Sequence, residues 1–216
     1  MPLKPKQPHL SAEHWTRGKA RHEGDLIVLE DPEHYRLFRG KGIPFALAGV
    51  RDPQDAVHFA NTYGLLRSGR NAGEQRERFR DWQQDIDRIL HAIDLYVTSQ
   101  PGSDTMDLAM LLDECLSDVR IGVIGHMAAA DRYSLIWQSH PRDLLGFAYY
   151  ELAALMIEER EFRYCIECGR PFLVTDRRQQ FDSPTCSNRV RHRRWVEGKR
   201  QRESAGVPVD AGNQSV

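Results

Sequence analysis

Two cysteines separated by two residues, Cys165 and Cys168, with Gly169 directly behind them, are the residues in this sequence best arranged for chemistry. A tight turn with that spacing lets two thiolates face one ion about 2.3 Å away, and the glycine accepts the backbone geometry that the turn needs. A third cysteine, Cys186, follows Ser183-Pro184, where a helix should begin. A knuckle, a short hairpin and a helix whose first turn returns to the metal describe a treble-clef-like zinc finger. The fourth ligand has more than one candidate. Asp182 lies where fingers of this layout place a ligand ahead of the last cysteine, and a carboxylate binds zinc at about 2.0–2.2 Å. His192 is the rival, although six residues of helix turn a side chain roughly 240° away, so it reaches the metal only if the helix starts late. A water ligand, or a site that has ceased to hold metal, completes the alternatives.

The segment after Cys186 is basic. With Cys186 as origin and about 100° per residue, Val190 falls near 40°, on the metal side, and Trp195 near 180°, opposite it. Arg189, Arg191, Arg193, Arg194 and Arg200 scatter around nearly every direction. A helix polar almost all round is either solvated or lies against phosphates. Trp195 either packs on the acidic remainder of the chain or stacks on an unpaired base. The formal net charge of −1 hides a marked asymmetry: residues 1–162 hold 19 Lys+Arg against 25 Asp+Glu, whereas residues 163–202 hold 11 against 4. A compact +7 module on an acidic body is the electrostatic footprint of nucleic-acid contact. The plainer reading is a solvated, arginine-rich helix end.

Cys165-x-x-Cys168-Gly169, Pro171-Phe172, Arg177-Arg178-Gln179-Gln180-Phe181 and Ser183-Pro184-Thr185-Cys186-Ser187-Asn188-Arg189 together resemble the zinc finger of the CGNR family. These bacterial transcription regulators carry the finger at the C-terminus behind an ABATE-type domain. Two positions depart from the family pattern: Asp182 stands where the third cysteine would be, and Ser187 replaces the glycine of the namesake motif. The resemblance implies an N-terminal domain that acts as a sensor or an assembly unit.

The elements that must position these residues divide the chain into a mobile arm over 1–24, an ABATE-like body over 25–160, the finger with its basic helix over 161–202, and a disordered tail over 203–216. In the body, Asp25 to Leu29 reads as an edge strand or an anchored extended segment, and Asp31 to Phe38 as a short helix. Gly40, Gly42 and Pro44 act as breakers. Asp52-Pro53 starts a helix through Leu66, and a loop spans Ser68 to Gly73. The longest helix is expected from about Glu74 to Thr98, striped by Phe79, Trp82, Ile86, Ile89, Leu90, Ile93, Tyr96 and Val97. Arg76, Arg78 and Arg80, alternating with Glu74, Glu77 and Asp81, would form its solvated side. The stripe serves either the core or the seam of a homodimer. Asp104 caps a further helix to about Asp118, which buries Met106, Leu108, Leu111, Leu112 and Cys115. Arg120–Met127 and Tyr133–Gln138 read as two strands, with a helical alternative at Ala128-Ala129-Ala130. Asp143 to about Glu159 is a strongly apolar helix. The expected class is α+β and mostly helical, a helical domain with a small β-hairpin followed by the finger.

The signatures of catalysis are missing. There is no Gly-rich phosphate loop, no His-Glu-x-x-His helix and no Gly-x-Ser-x-Gly elbow. The Cys-x-x-Cys also lacks the His-x-Glu partner of a zinc deaminase. An enzyme is therefore not expected. No run of 18 apolar residues suggests a membrane span, no apolar core near the N-terminus suggests secretion, and clustered thiols suit a reducing cytoplasm. The expectation is a cytoplasmic DNA-binding transcription regulator with one structural zinc on Cys165, Cys168, Asp182 and Cys186, contacting duplex DNA through its arginines. The alternative is an interaction or scaffold protein whose finger is purely structural.

Overall fold

The computed structural model describes residues 9–10, 13–37, 42–67, 75–99, 106–117, 119–129 and 132–204. Residues 9–10, 13–17, 32–37, 121–129, 132–138 and 203 are described in their backbone only. The chain divides into two compact units, Met1–Phe162 and Arg163–Val216. The first contains β1 (His9–Leu10), β2 (Glu13–Glu23), β3 (Leu26–Leu37), α1 (Ile43–Ala48), α2 (Pro53–Tyr63), β4 (Gln75–Arg78), α3 (Phe79–Thr98), α4 (Met106–Leu116), β5 (Val119–Ala129), β6 (Arg132–Pro141) and α5 (Leu144–Ile157). The class is α+β, with small, mainly antiparallel sheets.

The expected arm holds a strand. β2 pairs antiparallel with β3 from Glu23↔Leu26 out to Glu13↔Leu37, and β4 adds to the other edge of β3. The apolar run at Ile27-Val28-Leu29 is therefore central and buried, not at an edge. The helix expected from Asp31 to Phe38 is replaced by continued strand through Leu37. Pairing with the preceding strand β2, across the two-residue Gly24-Asp25 turn, outweighs the weak local preference for helix. Proline is accommodated because the ladder skips from Glu33 to Glu30, so Pro32 falls where no paired N–H is required. Gly18 occupies the matching irregularity on β2, where a Cβ would lie 2.2 Å from the carbonyl oxygen of Glu30.

α1 forms among residues whose types predict only breakers. Its N-cap, Gly42, has φ of 69° and no capping side chain. Glu151, on α5, supplies the missing acceptor, taking hydrogen bonds from the backbone N–H of Ile43 at 3.0 Å and of Gly42 at 3.3 Å. α2 starts as the sequence reads, with the Asp52 carboxylate accepting from the Asp55 N–H at 2.8 Å and Pro53 in the first turn.

The long helix begins at Phe79, not near Glu74, because Gln75–Arg78 is strand β4. Alternating charge fits a period of two as well as one face of a helix, and here the strand wins: Gln75 and Glu77 are buried while Arg76 and Arg78 are exposed. Glu77 is thus no solvated residue. Its carboxylate accepts from the N–H of Leu66 at 2.9 Å, the N–H of Arg67 at 2.6 Å and Trp82 Nε1 at 2.6 Å, which compensates its burial. On α3, Phe79, Trp82, Ile86, Ile89, Ala92 and Ile93 are buried; Leu90 and Tyr96 are half-buried and Val97 is exposed.

Only Leu108 of α4 is buried. Met106 and Met110 are exposed, and Leu111, Leu112 and Cys115 are half-buried. Asp104, the expected cap, lies outside the described residues. β5 and β6 form the anticipated hairpin, and strand continues through Ala129, against the helical alternative. β1 runs parallel to β6. Asp143 caps α5 by accepting from the Gly146 N–H at 2.8 Å. Twelve of the fourteen residues of α5 are buried, so it forms the centre of the first unit, packed by α1, α3, α4, β5 and β6. Among the described residues, no helix is long and apolar enough to cross a membrane.

The boundary between the units falls inside β7 (Phe162–Tyr164), which forms a two-stranded sheet with β8 (Pro171–Leu173) and is followed by α6 (Pro184–Ser204). Residues 205–216, most of the expected tail, lie outside the described residues.

Candidate metal centre and basic helix

The turn between β7 and β8 closes through Cys165 N–H to the Arg170 carbonyl at 2.9 Å and Gly169 N–H to the Cys165 carbonyl at 2.8 Å. Gly169 has φ of 70°, the left-handed conformation that favours glycine. This curl brings Cys165 and Cys168 to one side. The loop after β8 folds back beneath them: Ile166 N–H donates to the Gln180 carbonyl at 3.3 Å, and Arg163 Nη1 donates to the carbonyls of Arg177 and Gln179 at 2.9 and 3.0 Å. Asp182 is delivered by that loop. Ser183 then caps α6, its hydroxyl accepting from the Cys186 N–H at 3.3 Å, so Cys186 sits in the first turn. Phe172 and Val174 pack with Cys165 and Cys186 as a small apolar floor, flanked by Phe181.

Cys165, Cys168, Asp182 and Cys186 converge, with their ligand atoms all within 4.8 Å of one another. A tetrahedral ion with bonds of about 2.3 Å places ligands about 3.8 Å apart, so small side-chain rotations close the set on one metal. The four are close enough to bind one metal ion. Asp182 is held by Ser183 Oγ, which donates at 3.1 Å, and by the Cys168 thiol at 3.5 Å. Burial opposes ionisation of Asp182, but hydrogen bonds from Cys186, Cys165, Ser183 and Cys168 outweigh it and hold the carboxyl below the usual range. The same carboxylate pushes the Cys186 thiol up to about 12. His192 is not part of the cluster. It is exposed, with its ring centroid 6.0 Å from that of Trp195. The helix starts early, at Pro184, which turns position 192 away from the metal side.

Arg189, Arg191, Arg193, Arg194 and Arg200 are all exposed along α6. They are not equivalent. Arg193 forms an ion pair with Glu167 of the knuckle, clipping α6 to the turn that carries the cysteines. Two further cations, Lys199 and Arg202, join the arginines expected from the sequence. They fall at about 220° and 160° on the helix, on the side of Trp195. Lys199 Nζ lies 5.9 Å from the Trp195 ring centre, and Arg202 Nε donates to the Gly198 carbonyl at 3.1 Å. The helical spacing 191-195-199-202 is the signal that finds them.

Sequence comparison returns no matching family model and no matching curated protein.

Proposed function

We propose that residues 163–204 form a treble-clef-like zinc finger whose basic helix binds nucleic acid, and that the protein is a DNA-binding transcription regulator contacting duplex DNA. The observation that carries this reading is the convergence of three thiols and one carboxylate beneath the first turn of an arginine-rich helix. Three sulfurs and one oxygen suit zinc better than magnesium or calcium, which prefer all-oxygen sets. Four protein ligands complete the coordination shell, the arrangement of a structural zinc and not of a catalytic one with an open position. The resemblance to CGNR fingers supports the same assignment. The first unit is then the sensor or assembly domain, a role that rests on this resemblance alone.

Metal analysis of the purified chain, paired with duplex binding, tests the reading. About one zinc per chain is expected. Arg191→Ala with Arg194→Ala should weaken duplex binding across all sequences and lower the slope of log affinity against log salt by roughly two, since each phosphate contact contributes about 0.9. A folded chain that binds zinc but no nucleic acid at low salt would favour the scaffold alternative.

A further inference from the structure

α6 has two chemically different faces. Toward the metal cluster lie Cys186, Val190, the Arg193–Glu167 ion pair and, at about 20° on the helix, Glu197. The opposite face, between Arg191 and Arg202, carries Arg191, Trp195, Lys199 and Arg202 within about 40° of one line, with His192 at its edge. No acidic residue falls on that face over this span. At its centre Trp195 is 58% exposed despite the neighbouring His192 ring and Lys199 ammonium. Solvated arginines need no explanation, but an indole held in water amid cations does. A large apolar ring in water forgoes stabilisation that burial would supply. Its contacts along the helix are cation–π and ring–ring approaches too loose to cover it.

We infer that this face is a stacking site for an unpaired nucleobase, with Trp195 as the platform and Arg191, Lys199 and Arg202 holding the flanking phosphates. Closed duplex offers phosphates but keeps its base faces stacked on one another, so it satisfies the cations and leaves the indole bare. A single strand, or a locally opened duplex, satisfies both. This site rests on the nucleic-acid reading above, in that the same cations meet phosphates, and departs from closed duplex as the preferred partner: α6 holds single-stranded nucleic acid more tightly than closed duplex of equal length.

The test uses the full chain loaded with zinc and fluorescence anisotropy at low salt, with an oligothymidine, an oligouridine and a DNA duplex of equal length. Wild type is compared with Trp195→Phe and Trp195→Ala, whose helicity is checked by circular dichroism. Both single strands should bind more tightly than the duplex. Trp195→Ala should weaken single-strand binding by roughly 5- to 150-fold, the range for loss of one stacked base, and change duplex binding by no more than about twofold. Trp195→Phe should retain most of the affinity while abolishing the quenching of tryptophan emission that accompanies single-strand binding. The DNA and RNA arms report which sugar the site takes. Equal binding of duplex and single strand, or a Trp195→Ala chain that binds single strands normally, overturns the stacking site and leaves the nucleic-acid reading standing. Absence of binding to all three by the folded chain overturns both, and then the indole is better read as an anchor for a protein partner.

Discussion

Asp182 and Asp85 show how differently two partly or wholly buried carboxylates can be used. Asp182 is stabilised as an anion by the groups around it, and in the proposed finger it is the only oxygen among sulfurs. Asp182→Cys should therefore tighten zinc, and Asp182→Ala should weaken it; competition with a chromophoric chelator reads both. Asp85, on α3, is buried with its charge met by a single nitrogen, Arg67 Nη2, 2.8 Å from both carboxylate oxygens. Burial raises its pKa to about 6, while Arg67 and Arg88 pull it down and Glu77 pushes it further up. Because the folded-state value lies above the unfolded one, the contribution of Asp85 to stability is complete below about pH 4 and is lost as pH rises through about 6. Asp85→Asn should raise stability at pH 7 by on the order of 2–3 kcal/mol and flatten the pH dependence between 4 and 7. Urea midpoints of both chains at pH 4.5 and pH 7 check this, and Arg67, half-exposed, can hydrate once its partner is neutral. Neither Asp85 nor Glu77 is legible as buried in the sequence. A carboxylate reads as a surface residue until its donors are known, and those of Glu77 come from Leu66, Arg67 and Trp82, none of them on its own strand.

At the scale of elements, the helices whose ends are written locally are readable, and the others are not. Asp52-Pro53, Asp143 and Ser183-Pro184 each carry their own cap, and α2, α5 and α6 begin there. The candidate metal site is readable for the same reason, since Cys165, Cys168, Asp182 and Cys186 all lie on one short stretch. By contrast, β4 depends on a partner strand far back in the chain, and β2 and the second half of β3 depend on each other across a two-residue turn, pairings that periodicity alone does not reveal. α6 invites a direct test. Beyond Cys186 none of its described residues is buried, so tertiary packing lends its distal half little support. Gly198 weakens it further, and a Cβ there would meet nothing within 4 Å. Gly198→Ala should stabilise the distal helix by about 0.5–1 kcal/mol, seen as slower amide exchange from Trp195 onward.

For the whole molecule, the division at Phe162 places the buried helix α5 in the first unit together with α1, α3, α4, β5 and β6, which pack on it. A fragment of residues 1–162 should therefore unfold in one cooperative urea transition, whether or not metal is present. A broad, non-cooperative transition would show that the second unit is needed to complete that core. Among its described residues, the second unit has no comparable apolar interior. Its floor is Phe172, Val174, Phe181 and the cysteines themselves, so chelation should unfold it while leaving the first transition in place.

The bond from Glu151 to the start of α1 also sets an order in time. α1 is six residues long, too short to persist alone, and its cap arrives from 108 residues downstream of Ile43. During synthesis its first turn stays uncapped until nearly all of the first unit has left the ribosome. Closure of this unit thus waits on its own C-terminal end: among its last segments to emerge is the one that lets an early helix close.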